Sequence, residues 1–568
     1  NASSSSKYGF DRCRHTTVEY SLCHTHDNGF ENLKESCRYL PSMNDYEILN
    51  RGTKEEKVTI PEDVKFRYNK EFPGWFHNKR LPILYNNSWR PCGYYDQLNQ
   101  AYLSSNSVFN YSMFFTHLGS KNMEPRQLLV LDEGHLFEKE IVEYASLSVS
   151  NRRWKRYIPD LDVNNLHLDC DDIKGWLPFL IRIEAKLLLS LGFTLEIEEL
   201  AKERYRSYGY IFKDRINANT KISSFLGDDT EAAIIRDICD IIPKPTTAGN
   251  EIRSYYDYPQ ITSPALRIDA ENDLKKISGV IHGILSSPQN WIVTENGTDI
   301  GMTITFKPLN VASFCSEIFN KGSKVLIMSA TILDYQSFCK SLGLAPKNVE
   351  FIKVGSDFSE TRRPIHHMNV HQLNQSTLQE PEVRSKIAKS IDEIMSMHKN
   401  HKGIIHTTSY VQNNFIIKNL SEQNADRLIQ TDPYIPREEI IMKHVNSNEP
   451  TVLISPSLYM GIDLKDDLSR FQIITKVPYP DLGDKWIRRK MRSFDNKIEG
   501  DKWYAWQTAL RIVQAYGRSI RSKNDWAITY ILDSNFEGFV RKNTILFPNW
   551  FLSAIKFKQV RGYPIRLF

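Results

Sequence analysis

Gln127–His135, QLLVLDEGH, is the stretch that decides the fold. Its apolar run is short and continuous and ends in two acids, the pattern of a strand buried on both faces in a parallel sheet. Ligands of open α/β sheets bind beyond the carboxyl ends of the strands, so Asp132 and Glu133 stand where acids can hold a metal nucleotide. Phosphoryl transfer needs Mg²⁺ to neutralise charge on the β- and γ-phosphates and a group to orient the attacking water. Asp132 suits the first role through the metal's water shell, and Glu133 the second. The same pair also reads as two exposed acids capping a helix that begins at Gly134.

Outward from this stretch, further apolar runs predict strands at Lys324–Met328 (KVLIM), Gly403–His406 (GIIH), Thr451–Ile454 (TVLI), Phe471–Thr475 (FQIIT) and Trp526–Leu532 (WAITYIL). Strands alternating with helical stretches imply parallel sheets built from right-handed crossovers, here two α/β lobes with insertions in the first. Ser107–Phe115, SVFNYSMFF, reads as a buried strand and its exit loop, and Tyr94–Ser104 as helical. Between about residues 150 and 300 longer amphipathic helices take over, most clearly Trp176–Ser190 and Leu195–Tyr205, and predict an inserted helical domain.

Bulk properties are those of an ordinary globular protein. The 568 residues are 41% hydrophobic and 25% charged, enough for three or four packed units. No apolar run approaches the roughly 20 residues that span a bilayer, which argues against a membrane protein. The start, Asn1 to Lys7, is polar and Ser-rich without initiator Met and reads as a chain joined in mid-sequence. The net charge of +5 is compatible with a local basic groove for nucleic acid without demanding one. Eight Cys are too few for a disulfide scaffold of this size, so a reducing setting is expected, cytoplasmic if the source is prokaryotic and nuclear if eukaryotic. Cys13, Cys23, Cys37 and Cys92 crowd the start of the chain, whereas Cys170, Cys239, Cys315 and Cys339 are scattered and read as core residues or inert thiols.

Four later segments carry candidate chemistry. Ser329 and Thr331 end the KVLIM strand and can link a nucleotide site to a neighbouring groove, or simply cap the next helix. In Trp506–Arg521, WQTALRIVQAYGRSIR, a helix would place Gln514, Arg518 and Arg521 within roughly 60° of one another. An amide and two guanidiniums on one face can grip a triphosphate, though a solvated basic face is the plainer alternative. In Ser455–Leu464, SPSLYMGIDL, Gly461 allows close backbone approach and Asp463 can orient an arginine or a ribose; a Gly-containing turn with a polar tail is the plainer alternative. Thr408 and Ser409 leave the GIIH strand with hydroxyls suited to phosphates, or form a loop with no ligand.

The ordered set D-E-x-H, S-A-T, G-x-D and Q-x-x-G-R resembles superfamily 2 helicases, and its wording resembles the XPD/DinG branch. Ile512–Phe536 is similar to that branch's motif VI, SPSLYMGIDL followed by VPYP to its motif V, and PCGYYDQLNQAYLSSNSVFNY to the segment closing its iron–sulfur module. The resemblance implies two RecA-like parallel-sheet lobes: a cluster module over 1–100, motor lobe 1 over 101–149 and 301–342, a helical arch over 150–300, and motor lobe 2 over 343–568. It implies a monomeric ATP-dependent motor, using ATP and Mg²⁺, that moves 5′ to 3′ on single-stranded and forked DNA in repair or genome maintenance. The catalytic set would be Asp132, Glu133, His135, Gln514, Arg518 and Arg521, with Gly461 and Asp463 at the nucleotide and Ser329, Thr331, Thr408 and Ser409 on the nucleic-acid side. Cys13, Cys23, Cys37 and Cys92 would ligate a [4Fe–4S] cluster; tetrahedral zinc or unrelated thiols are the chemical alternatives.

Three departures stand out. Gly134 replaces the usual Ala of D-E-A-H, and Met460 stands where many members carry Glu. The stretch also contains no G-x-x-x-x-G-K-[ST] phosphate loop, which the family carries upstream of its cluster cysteines, so the 568 residues alone are expected to hydrolyse little ATP. The alternative is a catalytically inactive DNA-binding scaffold that kept the helicase fold.

Overall fold

The computed structural model describes residues 101–119, 123–164, 166, 168–191, 261, 264–298, 301–431, 435–456, 464, 466–520 and 522–557, with the backbone of strands β1 (Ile83–Tyr85) and β2 (Ser88–Arg90). The chain divides into two compact units, Asn1–Leu129 with Glu138–Val325, and Val130–Phe137 with Leu326–Phe568. Among the described residues, no helix is long and apolar enough to cross a membrane.

In the first unit, Tyr111–His117 is helix α1, not the predicted strand. Asn110 caps it by accepting from the Met113 N–H at 2.7 Å, and Phe114 and Phe115 fall on its buried side. The local cap and this spacing outweigh the strand preference of the aromatics. Strand β3 (Arg126–Leu131) follows, then α2 (Phe137–Ala145) and β4 (Leu147–Ser150). The predicted amphipathic helix forms as α3 (Leu177–Ser190) and packs on α4 (Pro264–Ser286). The block is not wholly helical: β5 (Trp291–Thr298) and β6 (Gly301–Pro308) form an antiparallel hairpin, and β4 pairs the far side of β6. Trp154, Trp176, Leu180, Ile281, Val293 and Phe306 fill the core between sheet and helices, with Trp176 edge-on to Phe306 at 5.7 Å. Helix α5 (Ala312–Phe319) leads into β7 (Gly322–Ile327).

β3 and β7 pair in parallel: the Arg126 N–H bonds Lys321 O at the start, and the Met328 N–H bonds Leu131 O at the end. QLLVL was expected to be buried on both faces, yet Leu128 and Val130 are exposed, as are Leu326 and Met328 beside them. Two-sided burial needs neighbouring strands and a layer on each face. Among the described residues this sheet is only two strands wide.

The second unit holds a seven-stranded, all-parallel sheet. Along the chain come α6 (Tyr335–Ser341), β8 (Ile365–His371), α7 (Pro381–Met397), β9 (Gly403–His406), α8 (Tyr410–Asn419), β10 (Leu428–Gln430), α9 (Arg437–Asn446), β11 (Val452–Ser455), β12 (Phe471–Ile474), α10 (Lys485–Arg492), α11 (Lys497–Tyr516), β13 (Ile528–Asp533), α12 (Asn535–Lys542) and β14 (Ile555–Phe557). The strand order is β10-β11-β9-β12-β13-β8-β14. β9, β11, β12 and β13 are buried along their whole length, as continuous apolar runs require. Ile405, Ile454, Ile473, Tyr530 and Leu532 form one core with Ile387, Ile391 and Ile394 of α7. Ile404 and Leu453 point the other way, towards Ile440 of α9. Gly403 has no substitute here, because a Cβ would lie 2.5 Å from the Phe471 ring on the adjacent strand.

One carboxylate gathers the carboxyl edge of this sheet. Buried Asp533 accepts the Leu373 N–H at 3.1 Å, the Val477 N–H at 2.9 Å and the Asn535 N–H at 3.0 Å. These amides begin the exits of β8, β12 and β13.

Candidate active site

The carboxyl end of β3 turns sharply. Asp132 Oδ1 accepts the Glu133 N–H at 2.8 Å, and Glu133 adopts a left-handed conformation with φ 50° and ψ 40°. A non-glycine residue there carries backbone strain of about 1–2 kcal/mol. Gly134 closes the turn by donating its N–H to Met328 O at 2.8 Å. A Cβ on it would lie 2.4 Å from Ile327 Cγ2, so glycine, not alanine, suits this approach.

Residues 134–136 then form one 3₁₀ turn, which sends the His135 ring inward. Its Nδ1 lies 2.8 Å from Ser329 Oγ and 3.3 Å from Glu133 Oε2. Burial, reinforced by the positive charge of Arg518, lowers the His135 pKa to about 4. The ring is therefore neutral at pH 7, and its contact with exposed Glu133 is a dipolar one.

Ser329 and Thr331 do not cap the next helix; Asp334 does, accepting the Ser337 N–H at 3.1 Å. That leaves both hydroxyls for long-range bonds. Ser329 Oγ takes the Thr331 N–H at 3.1 Å, and buried Thr331 Oγ1 accepts from the Gln514 amide. Gln514 Oε1 in turn accepts from the Arg518 guanidinium at 3.2 Å. An unbroken path thus runs from His135 through Ser329, Thr331 and Gln514 to Arg518.

Helix α11 supplies the second half of this path, although it stops earlier than its periodicity suggests. It ends at Tyr516 with Gly517 as cap, so Arg518 lies beyond the helix and not on a shared helical face with Gln514. The end is held from outside. Gln472 on β12 donates to Tyr516 O at 2.8 Å, and Ser469 and Ser519 join their hydroxyls at 2.7 Å. Sequence reasoning missed Gln472, a lone amide in an apolar strand. It also missed Trp506, whose indole N–H bonds Ile332 O at 2.8 Å, next to Thr331 and two turns before Gln514. Lys340 and Glu499 add an ion pair at 2.8 Å between α6 and α11.

Asp132, Glu133, His135, Ser329, Thr331, Gln514 and Arg518 are therefore brought together. Thr408 and Ser409 serve α8 instead: Ser409 Oγ caps it at Gln412 N, and Thr408 bonds the Gln412 side chain. Gly461, Asp463 and Arg521 lie outside the described residues, as do Cys13, Cys23, Cys37 and Cys92. Cys315 and Cys339 are buried and Cys170 is half-buried. Among the described residues, no group of three or more His, Cys, Asp and Glu is placed to hold a metal ion. Asp132 can face a metal through water, a contact that suits Mg²⁺ because Mg²⁺ usually keeps several of its waters.

Residues 391–553 match the helicase C-terminal domain family. The matched segment contains β9, β11, β12, β13 and the whole of α11. A regulator of telomere elongation helicase 1 homolog from Aedes aegypti is 35% identical over 110 residues, which is 18% of this chain and 11% of that protein. The chain thus spans about a tenth of that relative's length. A "Probable ATP-dependent helicase" of Methanocaldococcus jannaschii is 22% identical over 572 aligned positions, covering 89% of this chain and 77% of that one. Among solved structures, an XPD helicase aligns with 92% of this chain and 84% of its own at 15% identity and a TM-score of 0.46.

Proposed function

We propose that the protein is an ATP-dependent DNA helicase, of the kind that moves 5′ to 3′ on single-stranded DNA and opens forked duplexes. The observation that carries this reading is the hydrogen-bonded path from His135 to Arg518, with the Glu133 carboxylate 3.3 Å from its first atom, which joins three separate motifs in one site. The helicase match over 391–553 supports it.

In this reading Glu133 orients the water that attacks the γ-phosphate, and its strained backbone aims the carboxylate away from the strand. Asp132 would hold, through water, the Mg²⁺ that accompanies ATP, and the ion would neutralise phosphate charge. Arg518, steadied by Gln514, offers a guanidinium to the charge that develops on the transferred phosphoryl group. Neutral His135 passes the state of the acids to Ser329 and Thr331 through hydrogen bonds and not through a charge. Arg521, Gly461 and Asp463 would complete the nucleotide contacts, and Thr408 and Ser409 would stand on the nucleic-acid side.

Cys13, Cys23, Cys37 and Cys92 would hold a [4Fe–4S] cluster within a module over 1–100, and residues 150–300 would form an arch beside it. Single-stranded and forked DNA are the partners, the motor is a monomer, and the role lies in repair or genome maintenance. Because the 568 residues contain no G-x-x-x-x-G-K-[ST] loop, this stretch alone would bind DNA and hydrolyse little ATP. A non-catalytic scaffold would have no use for a strained Glu133 joined to Arg518, which favours the enzyme.

The test is DNA-stimulated ATP hydrolysis by the native protein purified from its own cells, beside the Glu133→Gln variant. Stimulated turnover lost in the variant is the expected result. No turnover in either, with DNA binding intact, would establish the scaffold.

A further inference from the structure

We propose that helix α10, Lys485–Arg492, is a docking face for the phosphate backbone of single-stranded nucleic acid. The proposal rests on the helicase reading only for the kind of polyanion present. Its physical basis is the composition and placement of the helix itself.

Five of the eight residues in KWIRRKMR are basic and none is acidic. At 100° per residue, Lys485, Arg488, Arg489 and Arg492 fall within an arc of roughly 100°, along about 10 Å of helix. Trp486, Ile487, Lys490 and Met491 occupy the other side. The packing follows this division: Lys490 is buried over the Trp486 and Phe494 rings, and Trp486 meets Trp503 of α11 at 6.1 Å. Arg488 and Arg492 are exposed.

Every neighbouring pair on the basic face, 485 with 488 and 489, and 492 with 488 and 489, is a like-charge pair at i,i+3 or i,i+4. Each such pair disfavours the helix by about 0.2–0.5 kcal/mol. A polyanion laid along the face would offset this repulsion. The face is also held ready. Asp484 caps the helix at Trp486 N at 2.7 Å, and Arg488 donates to Leu482 O at 2.6 Å and Gly483 O at 2.9 Å. A guanidinium has five N–H donors, so further donors of Arg488 remain for a phosphate.

Placement supplies the second observation. The chain enters α10 from the carboxyl end of β12, by way of Val477, whose N–H is fixed to Asp533. Helix α10 therefore stems from the sheet edge at which ligands of parallel sheets bind. A row of cations along one helix face there matches a phosphate chain better than the scattered carboxylates of a protein surface.

The test is a titration of a fluorescent oligo-dT strand with the wild-type protein and the Arg488→Gln/Arg492→Gln variant across a salt series. Each phosphate contact to a single strand contributes about 0.7 to the slope of log K against log salt. The variant is expected to bind more weakly at low salt, with a slope shallower by about 1.4. Lys443→Gln, which removes an exposed charge from α9, is expected to leave the slope unchanged. Circular dichroism melting confirms that each variant is folded. An unchanged slope in the double variant overturns the proposal, as does an equal loss in Lys443→Gln. Acidic poly-glutamate competing as well as oligo-dT would assign the face to a protein partner and overturn it too. Failure of the wild type to bind DNA would instead strike at the helicase reading.

Discussion

The Gln514 side-chain amide donates to the Thr331 hydroxyl across 183 residues of sequence, and both groups are buried. Thr331→Val keeps the shape and removes the acceptor, leaving a buried amide donor unpaired at a cost of about 1–3 kcal/mol. Stability measured by urea titration should fall by that amount, and DNA-stimulated ATP hydrolysis with it. Thr331→Ser should restore both.

Glu133 pulls stability and activity in opposite directions. Glu133→Gly relieves the left-handed backbone, so thermal stability should rise by about 1 kcal/mol. Turnover should nevertheless drop at least 100-fold, the usual contribution of a positioned base. A variant that becomes more stable and keeps its turnover would remove Glu133 from the chemistry.

At position 134 an alanine should be harmful here. Its Cβ would press on Ile327 Cγ2, and overpacking of this kind costs about 1–3 kcal/mol. Gly134→Ala should lower the melting temperature, and Ile327→Ala in the same chain should recover part of the loss.

Acid should loosen the second unit. Burial lowers the pKa of His135, His398, His406 and His444 from 6.5 to about 4. The unfolded chain then binds more protons than the folded one between these values, so stability rises with pH across this window. It is fully present above pH 6.5 and is lost as pH falls towards 4. Melting temperatures recorded from pH 7.5 to 4.5 should decline through that range, and less steeply in His398→Gln.

Iron analysis addresses the cysteines. Protein purified without oxygen should be brown and carry about four irons per chain, and Cys92→Ser should lose both colour and iron. Colourless protein with one zinc would replace the cluster by a zinc site.

The strands of the second unit were legible because fully buried parallel strands must be continuous apolar runs, as GIIH, TVLI and FQIIT are. QLLVL and KVLIM were read correctly as strands, but QLLVL wrongly as buried on both faces, since an apolar run shows preference and not what lies over it. SVFNYSMFF misled through its aromatics, because one asparagine cap outweighs them. The identities of Glu133, Ser329, Thr331 and Gln514 were visible as motifs, while the bonds between them were not. Those bonds depend on the early end of α11, set by Gly517 and by the distant Gln472. A fold partner of that kind leaves no mark in local spacing.

The carboxylate of Asp533 has a consequence for motion. Because it holds the amides of Leu373, Val477 and Asn535 together, none of the three can exchange its proton without disturbing the clasp shared by the others. Deuterium should enter all three in one cooperative opening, so the exits of β8, β12 and β13 would breathe as a single plate and not as three separate loops.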